Sequence, residues 1–253
     1  MTQELRKKTI LKLLEQNEEV SIQEIVLRCN VSEITVRRDL TVLEMKGLLK
    51  RTHGGAVLNG VVPELFGFDN KSLERRNQKI AICKLAATFI EENDTIYMDC
   101  GTTVYFLSSF LPRFKNLRVI TNSLPVVSEL MPHPHIKVYL IGGELDTSLK
   151  ALYGPMTENL LSRYKADKAF IGAGGISVSH GLSSNHEKEA SITLKMAEAA
   201  NKVYLLCDSS KIEHNSYFNY SSLSLVDQLI TDNEISLPVL ELYKSKNIKI
   251  LTT

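Results

Sequence analysis

The chain has 253 residues, 43% of them hydrophobic, and a formal net charge of +1. This length and composition allow one large domain or two smaller ones, each with its own core. The near-neutral charge excludes a protein that coats nucleic acid non-specifically, so any DNA contact must rest on a local basic patch.

The sequence contains no pattern typical of a membrane protein or a metal site. It has no run of about 18 apolar residues. Its start, Met1-Thr2-Gln3-Glu4, is unlike a signal peptide, so we expect a cytoplasmic protein without membrane contact. The four cysteines lack C-x-x-C or zinc-ligand spacing, and His133 and His135 have no third ligand nearby. We therefore expect reduced thiols, no metal and no cofactor.

Three short helices are predicted at the N-terminus. The first spans Leu5 to Glu15 and offers an apolar face. The second runs to Arg28 and begins with the S-x-x-E capping box of Ser21-Ile22-Gln23-Glu24. The third extends from its N-cap, Ser32, to Lys46, with Gly47 at its end. Three helices joined by a tight turn predict a helix-turn-helix domain.

The third helix divides into an apolar and a basic face. Val36, Leu40 and Leu43 share one stripe, whereas Ile34, Arg38 and Thr41 point the opposite way, with Arg37 beside them. Because packing does not need the basic face, the pattern indicates a DNA-recognition helix. Two alternatives stay open: the arginines solvate a surface helix, or the module contacts protein.

A β-hairpin is expected after this helix. Leu48 to Thr52 and Ala56 to Leu58 can pair around His53-Gly54-Gly55, whose glycines accept positive φ. This hairpin would form a wing that brings Lys50 and Arg51 to the phosphate backbone. The residues expected to contact double-stranded DNA are Ser32, Ile34, Thr35, Arg37, Arg38, Thr41, Lys50, Arg51 and His53.

The rest of the chain predicts a larger α/β domain. Residues 1–58 form the first domain and residues 59–72, broken by Gly60, Pro63 and Gly67, are expected to be a linker. From residue 73 to 253, starting with a helix from about Leu73 to Glu91, helical segments alternate with short β-type runs. This alternation predicts a mainly parallel sheet covered on both faces. The strands are expected at Thr95–Met98, Leu117–Thr121, Ile136–Ile141, Lys168–Ile171, Lys202–Cys207, Val226–Thr231 and Ile248–Leu251.

Small and polar residues follow most of these strands, at the end where open parallel sheets bind ligands. Ordinary turn chemistry is the alternative explanation. In Gly101-Thr102-Thr103, a glycine, two hydroxyls and a helix start suit a phosphate, although the lysine and spacing of a Walker loop are missing. Ser177 also breaks a possible G-x-G-x-x-G dinucleotide motif. Lys211 can pair with an anion, while Asp99, Glu187 and Asp208 can accept bonds from sugar hydroxyls, or Glu187 can form an ordinary ion pair.

In combination these motifs resemble the DeoR family of bacterial transcriptional regulators over essentially the full length. The residues that carry the resemblance are Val31-Ser32, Arg37-Arg38-Asp39-Leu40, Leu43-Glu44, Arg51-Thr52-His53-Gly54-Gly55-Ala56, Lys79-Ile80-Ala81, Asp99-Cys100-Gly101-Thr102-Thr103, Thr121-Asn122, Gly142-Gly143-Glu144, Gly154 and Asp208-Ser209-Ser210-Lys211. The resemblance implies a winged helix-turn-helix and a sensor domain similar to ribose-5-phosphate isomerase. Cys100 and Ile212-Glu213 depart from the usual pattern, which leaves the sugar identity open.

The resemblance also implies a function and a set of site residues. We expect an oligomeric repressor, a dimer or tetramer, that binds operator DNA and is released by a phosphorylated sugar. The effector-binding residues would be Asp99, Gly101, Thr102, Thr103, Asn122, Gly143, Glu187, Asp208 and Lys211. The alternative is a sugar-phosphate isomerase that uses Glu187, Asp208 and Lys211, with the DNA-binding domain as an accessory.

Overall fold

The computed structural model describes residues 2–17, 19–45, 48–52, 54–58 and 67–253. The chain divides into two compact units, Met1–Gly67 and Phe68–Thr253. Residues 68–72, expected to be linker, lie in a helix of the second unit, where the Phe68 N–H donates to the Ser148 carbonyl at 2.9 Å. No helix in the described ranges is both long and apolar enough to span a bilayer.

The first unit contains the expected three helices and a small antiparallel sheet. Its elements in chain order are α1 (Gln3–Asn17), β1 (Glu19–Ser21), α2 (Ile22–Cys29), α3 (Glu33–Met45), β2 (Leu49–Arg51) and β3 (Gly55–Leu58). The strand order is β1-β3-β2, so β1, which the sequence analysis missed, extends the predicted wing to three strands. Gly47, the expected end of α3, lies outside the described residues.

Local sequence signals account for the helix starts and the core of this unit. Ser21 caps α2, and its Oγ accepts the Glu24 N–H at 3.2 Å, as the capping box predicts. The predicted stripe of Val36, Leu40 and Leu43 is buried. Burial of this face fixes α3 against the other two helices and leaves its opposite face to solvent.

The explanation for the wing glycines was wrong. Neither Gly54 nor Gly55 has a positive φ. A Cβ on Gly55 would instead lie 2.1 Å from the Val20 carbonyl oxygen, whereas one on Gly54 would have no atom of the described residues within 4 Å. Gly55 is therefore required because β3 packs closely against β1, and not because of its backbone conformation.

The second unit is built on one seven-stranded sheet. Its strands are β4 (Thr95–Met98), β5 (Arg118–Thr121), β6 (Lys137–Leu140), β7 (Glu144–Asp146), β8 (Ala151–Tyr153), β9 (Ala166–Ile171), β10 (Gly175–Ser177), β11 (Gly181–Ser184), β12 (Ala200–Leu206), β13 (Phe218–Ser221), β14 (Gln228–Thr231) and β15 (Ile250–Thr252). The main sheet has the order β15-β14-β12-β9-β4-β5-β6, and all its neighbouring strands are parallel. The predicted parallel α/β domain is confirmed.

Helices cover both faces of this sheet. They are α4 (Phe68–Leu73), α5 (Arg76–Ala86), α6 (Thr102–Tyr105), α7 (Leu124–Leu130), α8 (Pro155–Leu161), α9 (Glu187–Glu198) and α10 (Leu237–Ser245). Alternate residues of the strands belong to separate cores, as Tyr97 does on one face and Ile96 and Met98 on the other. This two-sided burial places the carboxyl ends of the strands along one rim.

Several predicted elements differ in detail. The expected helix from Leu73 to Glu91 is interrupted by Arg75, whose φ of 48° lies in the left-handed region. The helix start predicted at Gly101-Thr102-Thr103 begins the short α6, which continues as the 3₁₀ segment Phe106–Arg113. The β7–β8 hairpin and the β10-β11-β13 sheet were not predicted. These strands are short, and several are polar and glycine-containing, so they lack the apolar alternation that identifies a strand.

Candidate functional site

Helix α3, the predicted recognition helix, has the free face that the sequence predicts. The Ser32 Oγ accepts the Thr35 N–H at 3.4 Å, in the position of an N-cap. Ile34 is 66% exposed, and Arg38 is exposed next to it. An apolar side chain held in solvent beside a guanidinium suits contact with a thymine methyl and base edges.

The two arginines of α3 differ in their surroundings. The Arg37 guanidinium forms an ion pair with Glu33 one turn earlier, at 2.6 Å, and both side chains are exposed. In the part of the chain that the structure describes, no ion pair or hydrogen bond engages the Arg38 guanidinium. Arg38 is therefore the cation on this face that is free to bind, while a phosphate at Arg37 must compete with Glu33.

The wing is tied directly to α3. The Arg51 N–H donates to the Glu44 carboxylate at 2.9 Å, and its guanidinium donates to the Thr41 hydroxyl at 2.9 Å. Lys50, the preceding residue, is exposed. These bonds fix the wing relative to the helix, so Thr41 and Arg51 have a structural role that the sequence did not reveal. His53, predicted to contact DNA, lies outside the described residues.

Sequence reasoning missed an ion pair that orients α3. Asp39 is 1% exposed, and its carboxylate accepts the Arg6 Nε of α1 at 2.6 Å. A buried pair of this kind needs both members, because loss of one leaves an uncompensated charge. Asp39 lies beside Leu40 on the apolar side of α3. Because a buried carboxylate needs a charged or hydrogen-bonding partner, its position was the sequence signal for this ion pair.

In the second unit, Asp99 joins the loops that follow β4 and β9. Its carboxylate accepts the N–H groups of Gly101 at 2.8 Å and Gly172 at 2.7 Å, and the Thr193 hydroxyl lies 3.4 Å away. Burial raises the pKa of Asp99 to about 7. Because its oxygens hold the backbone, the observed role of Asp99 is to shape the rim, and the Gly101 N–H is already engaged.

Lys79 of α5 is a site residue that the sequence analysis quoted but did not assign. It is 5% exposed, and its Nζ lies 3.1 Å from the Thr102 Oγ and also donates to the Lys71 carbonyl. Burial lowers the pKa of Lys79 to about 8, with Asp208 and Lys211 close enough to contribute. A buried ammonium beside Thr102, in the predicted phosphate motif, has the charge and hydrogen-bond donors that suit an anion. The sequence signal was a lysine on the apolar face of an amphipathic helix.

The Arg75 guanidinium forms ion pairs with the acidic side chains that follow β12 and β14. Its guanidinium lies 3.0 Å from Asp208, 3.4 Å from Asp232 and 2.7 Å from Glu234. Asp208 and Asp232 are almost completely buried. Since Arg75 immediately precedes α5, these contacts fix the helix that carries Lys79. They also commit Asp208 to an ion pair, so a sugar hydroxyl would have to share this carboxylate.

The remaining predicted effector residues differ in their surroundings. Asn122 is fully buried; its Nδ2 donates to the Leu152 carbonyl at 2.9 Å, and its Oδ1 has no hydrogen-bond partner among the described residues. Gly143 packs against α8, where a Cβ would lie 2.0 Å from the Thr157 hydroxyl. Thr103 is largely buried, whereas Glu187 is exposed at the start of α9. Asn122 and Gly143 therefore border the β7–β8 hairpin and α8.

Metal-ligating side chains form no cluster of three or more in the described ranges. His135 Nε2 lies 2.9 Å from the Pro112 carbonyl oxygen, and the rings of His133 and His135 are 6.0 Å apart. All four cysteines are buried with free thiols.

The fold and the two sites define a class of protein: a DNA-binding regulator with a winged helix and an α/β sensor domain. The DeoR-like helix-turn-helix domain matches residues 6–61, and the DeoR C-terminal sensor domain matches residues 74–233. The chain belongs to the DeoR family of transcriptional regulators, as its motifs predicted.

Curated relatives match almost the whole chain. It is 34% identical over 253 residues to the HTH-type transcriptional repressor GlcR of Bacillus subtilis (strain 168), covering 100% of this chain and 97% of the relative. It is 36% identical over 231 residues to the lactose phosphotransferase system repressor of Staphylococcus epidermidis, covering 88% and 90%. Ribose 5-phosphate isomerase A from Methanocaldococcus jannaschii aligns with a TM-score of 0.41 and 17% identity over 55% of each chain, a similarity too distant to support an inference.

Proposed function

We propose that the protein represses genes of carbohydrate use and that a phosphorylated sugar releases it from its operator. The observation that carries the proposal is the unpaired Arg38 on the solvent face of α3, whose other face is buried. Operator binding places the protein in the cytoplasm. Two relatives are named as repressors, one of them of a lactose phosphotransferase system. These names support repression as the sign of regulation and carbohydrate use as the kind of gene.

On DNA, α3 would enter the major groove of an operator. Ile34, Thr35 and Arg38 are placed to contact base edges, and the phosphates would be bound by Arg37 and by the wing residues. Ser32, Thr41, Lys50, Arg51 and His53 complete the proposed interface. A homo-oligomer would place two such helices in successive grooves, so the operator should contain two half-sites about one helical turn, or a multiple, apart.

The DNA proposal is tested by selecting bound duplexes from a random pool and then measuring variants on the selected operator. Arg38→Ala should reduce discrimination at one base pair by about 1–3 kcal/mol. Arg37→Ala, the matched loss of charge on the same helix, should weaken all sequences alike and reduce the salt dependence. If Arg38→Ala leaves affinity and base preference unchanged, α3 does not read the DNA as proposed.

In the sensor unit, Lys79, Thr102, Thr103 and Lys211 would bind the effector phosphate, with Asp208 at the sugar. The support is the buried Lys79 ammonium 3.1 Å from the Thr102 hydroxyl. The effector can weaken operator binding only to the extent that it binds the DNA-free conformation more tightly than the DNA-bound conformation. Asp99, Gly101, Asn122, Gly143 and Glu187 stay predicted members of the site.

Sugar phosphates added to the protein–operator complex test this assignment. Thr102→Ala with Thr103→Ala, and separately Lys79→Met, should bind the operator but no longer respond to the sugar phosphate that releases the wild type. Thr88→Ala, which removes an exposed hydroxyl on the segment after α5, is the control and should respond normally. A retained response in the double variant would exclude this phosphate site.

We propose that this site senses its ligand and does not transform it. The isomerase alternative requires turnover of a sugar phosphate by the full chain, with Glu187 or Asp208 moving a proton. A panel of sugar phosphates that alters operator binding without being isomerised supports the regulator. Isomerisation lost in Asp208→Asn would support the enzyme.

A further inference from the structure

The edge strand β6 is unusually open for a member of the central sheet. It pairs with β5 on one side, and no described strand pairs with its other side. Lys137, Tyr139 and Leu140 are exposed, the latter two by 39% and 40%. At the opposite edge, β15 exposes Thr252 but buries Ile250. Of the two edges of the central sheet, β6 is therefore the one that exposes large apolar side chains.

The backbone of β6 offers hydrogen-bonding groups outward. The Lys137 N–H donates to the Leu117 carbonyl, just before β5, at 2.9 Å, and the Ile141 N–H donates to the Thr121 carbonyl of β5 at 2.8 Å. In a parallel ladder the backbone groups of successive residues point alternately to the two sides of the strand. Val138 and Leu140 therefore direct their N–H and C=O groups away from β5. Within the described residues these outward groups have no strand partner. Such an edge is complementary to another β-strand.

We propose that two copies of this chain pair through antiparallel β6 strands, giving one continuous sheet across a two-fold dimer. The inference rests on the proposed function, which needs two recognition helices. The charges favour a second copy as the occupant: Lys137 lies at the start of β6 and the exposed Glu144 beyond its end. Antiparallel pairing brings Lys137 of each β6 toward Glu144, the first residue of β7, in its partner, and places Tyr139 and Leu140 close to the axis.

Glu144 is accessible for this contact. Its carboxylate lies 3.5 Å from the Lys188 ammonium, but the two side chains are 73% and 64% exposed. Exposed pairs of this length are weak and exchange readily.

Cysteine cross-linking tests the pairing in the full-length protein. Residues at a two-fold axis face their own copies, so Tyr139→Cys or Leu140→Cys should form a disulfide-linked dimer under mild oxidation. The four natural cysteines are buried and should not react. Leu237→Cys, at a 72% exposed position on α10, is the matched control and should stay uncross-linked. Cross-linking at 237 but at neither β6 position would overturn the proposal.

Charge variants measured by sedimentation provide the second test. Lys137→Glu should raise the dimer dissociation constant about tenfold through like charges across the axis, and adding Glu144→Lys should restore it. A monomeric wild type, or a dimer unaffected by Lys137→Glu and Leu140→Lys, would exclude this interface. If a dimer unaffected by these substitutions still bound the operator, only the proposed interface would be wrong. Failure of the wild type to bind any DNA sequence specifically would instead contradict the regulatory function.

Discussion

Replacing Lys79 by methionine should remove a pH dependence from the stability of the sensor unit. The ammonium of Lys79 is 5% exposed, and burial lowers its pKa from 10.5 to about 8. Below about pH 8 the folded protein therefore holds a charge that the interior disfavours. Methionine has a similar length and no charge to bury.

The size of the effect follows from the pKa difference. The unfolded chain keeps a proton on this lysine that the folded chain releases between about pH 8 and about pH 10.5, so stability rises with pH in that interval. At about 1.4 kcal/mol per pKa unit, the buried charge costs about 3 kcal/mol at neutral pH. Raising the pH from about 7 to about 9 should increase the free energy of unfolding of the wild type by about 1.4 kcal/mol through this lysine. Lys79→Met should show no such contribution.

Tyrosine fluorescence during urea unfolding measures this difference. The chain has nine tyrosines and no tryptophan, and every tyrosine lies in the second unit. The free energy of unfolding is compared between wild type and Lys79→Met at each pH, so that other titrating groups cancel. Lys84→Met, an exposed lysine of the same helix, is the control and should track the wild type.

If the free energy of unfolding differs between wild type and Lys79→Met by the same amount at both pH values, the reasoning is refuted. A further arm adds inorganic phosphate at neutral pH. If an anion binds beside the ammonium, phosphate should stabilise the wild type against urea and leave Lys79→Met unchanged.

Three further experiments test local contacts. Gly55→Ala should destabilise the first unit by about 1–3 kcal/mol in thermal unfolding, because its Cβ would lie 2.1 Å from a carbonyl oxygen of the residue before Ser21 in β1, whereas Gly54→Ala should be tolerated. Gly143→Ala, with its Cβ 2.0 Å from a threonine hydroxyl of α8, should unfold at a lower temperature than Gly142→Ala, and equal midpoints would contradict this packing. Asp39→Asn should weaken operator binding by leaving its arginine partner in α1 unpaired, and unchanged affinity would show that the pair does not orient α3.

The sequence alone determined the features that depend on local pattern. The caps at Ser21 and Ser32, the buried stripe of α3 and the alternation of strands and helices along the chain follow from hydrogen bonding and periodicity within about a dozen residues. The placement of polar loops on one rim also followed, because parallel strands must end at the same edge. These signals predicted the DNA-recognition helix and the position of the phosphate motif.

The tertiary structure decided which side chains meet. Arg75 contacts Asp208, Asp232 and Glu234, more than 130 residues away, and Lys79 reaches Thr102 from a different element. Contacts of this kind depend on how the sheet brings its strand ends together, and a local period carries no information about them. The same holds for the glycine that β1 requires in the wing. Local sequence patterns thus predict the strongly periodic segments, while the packing of segments determines the partner of each polar group.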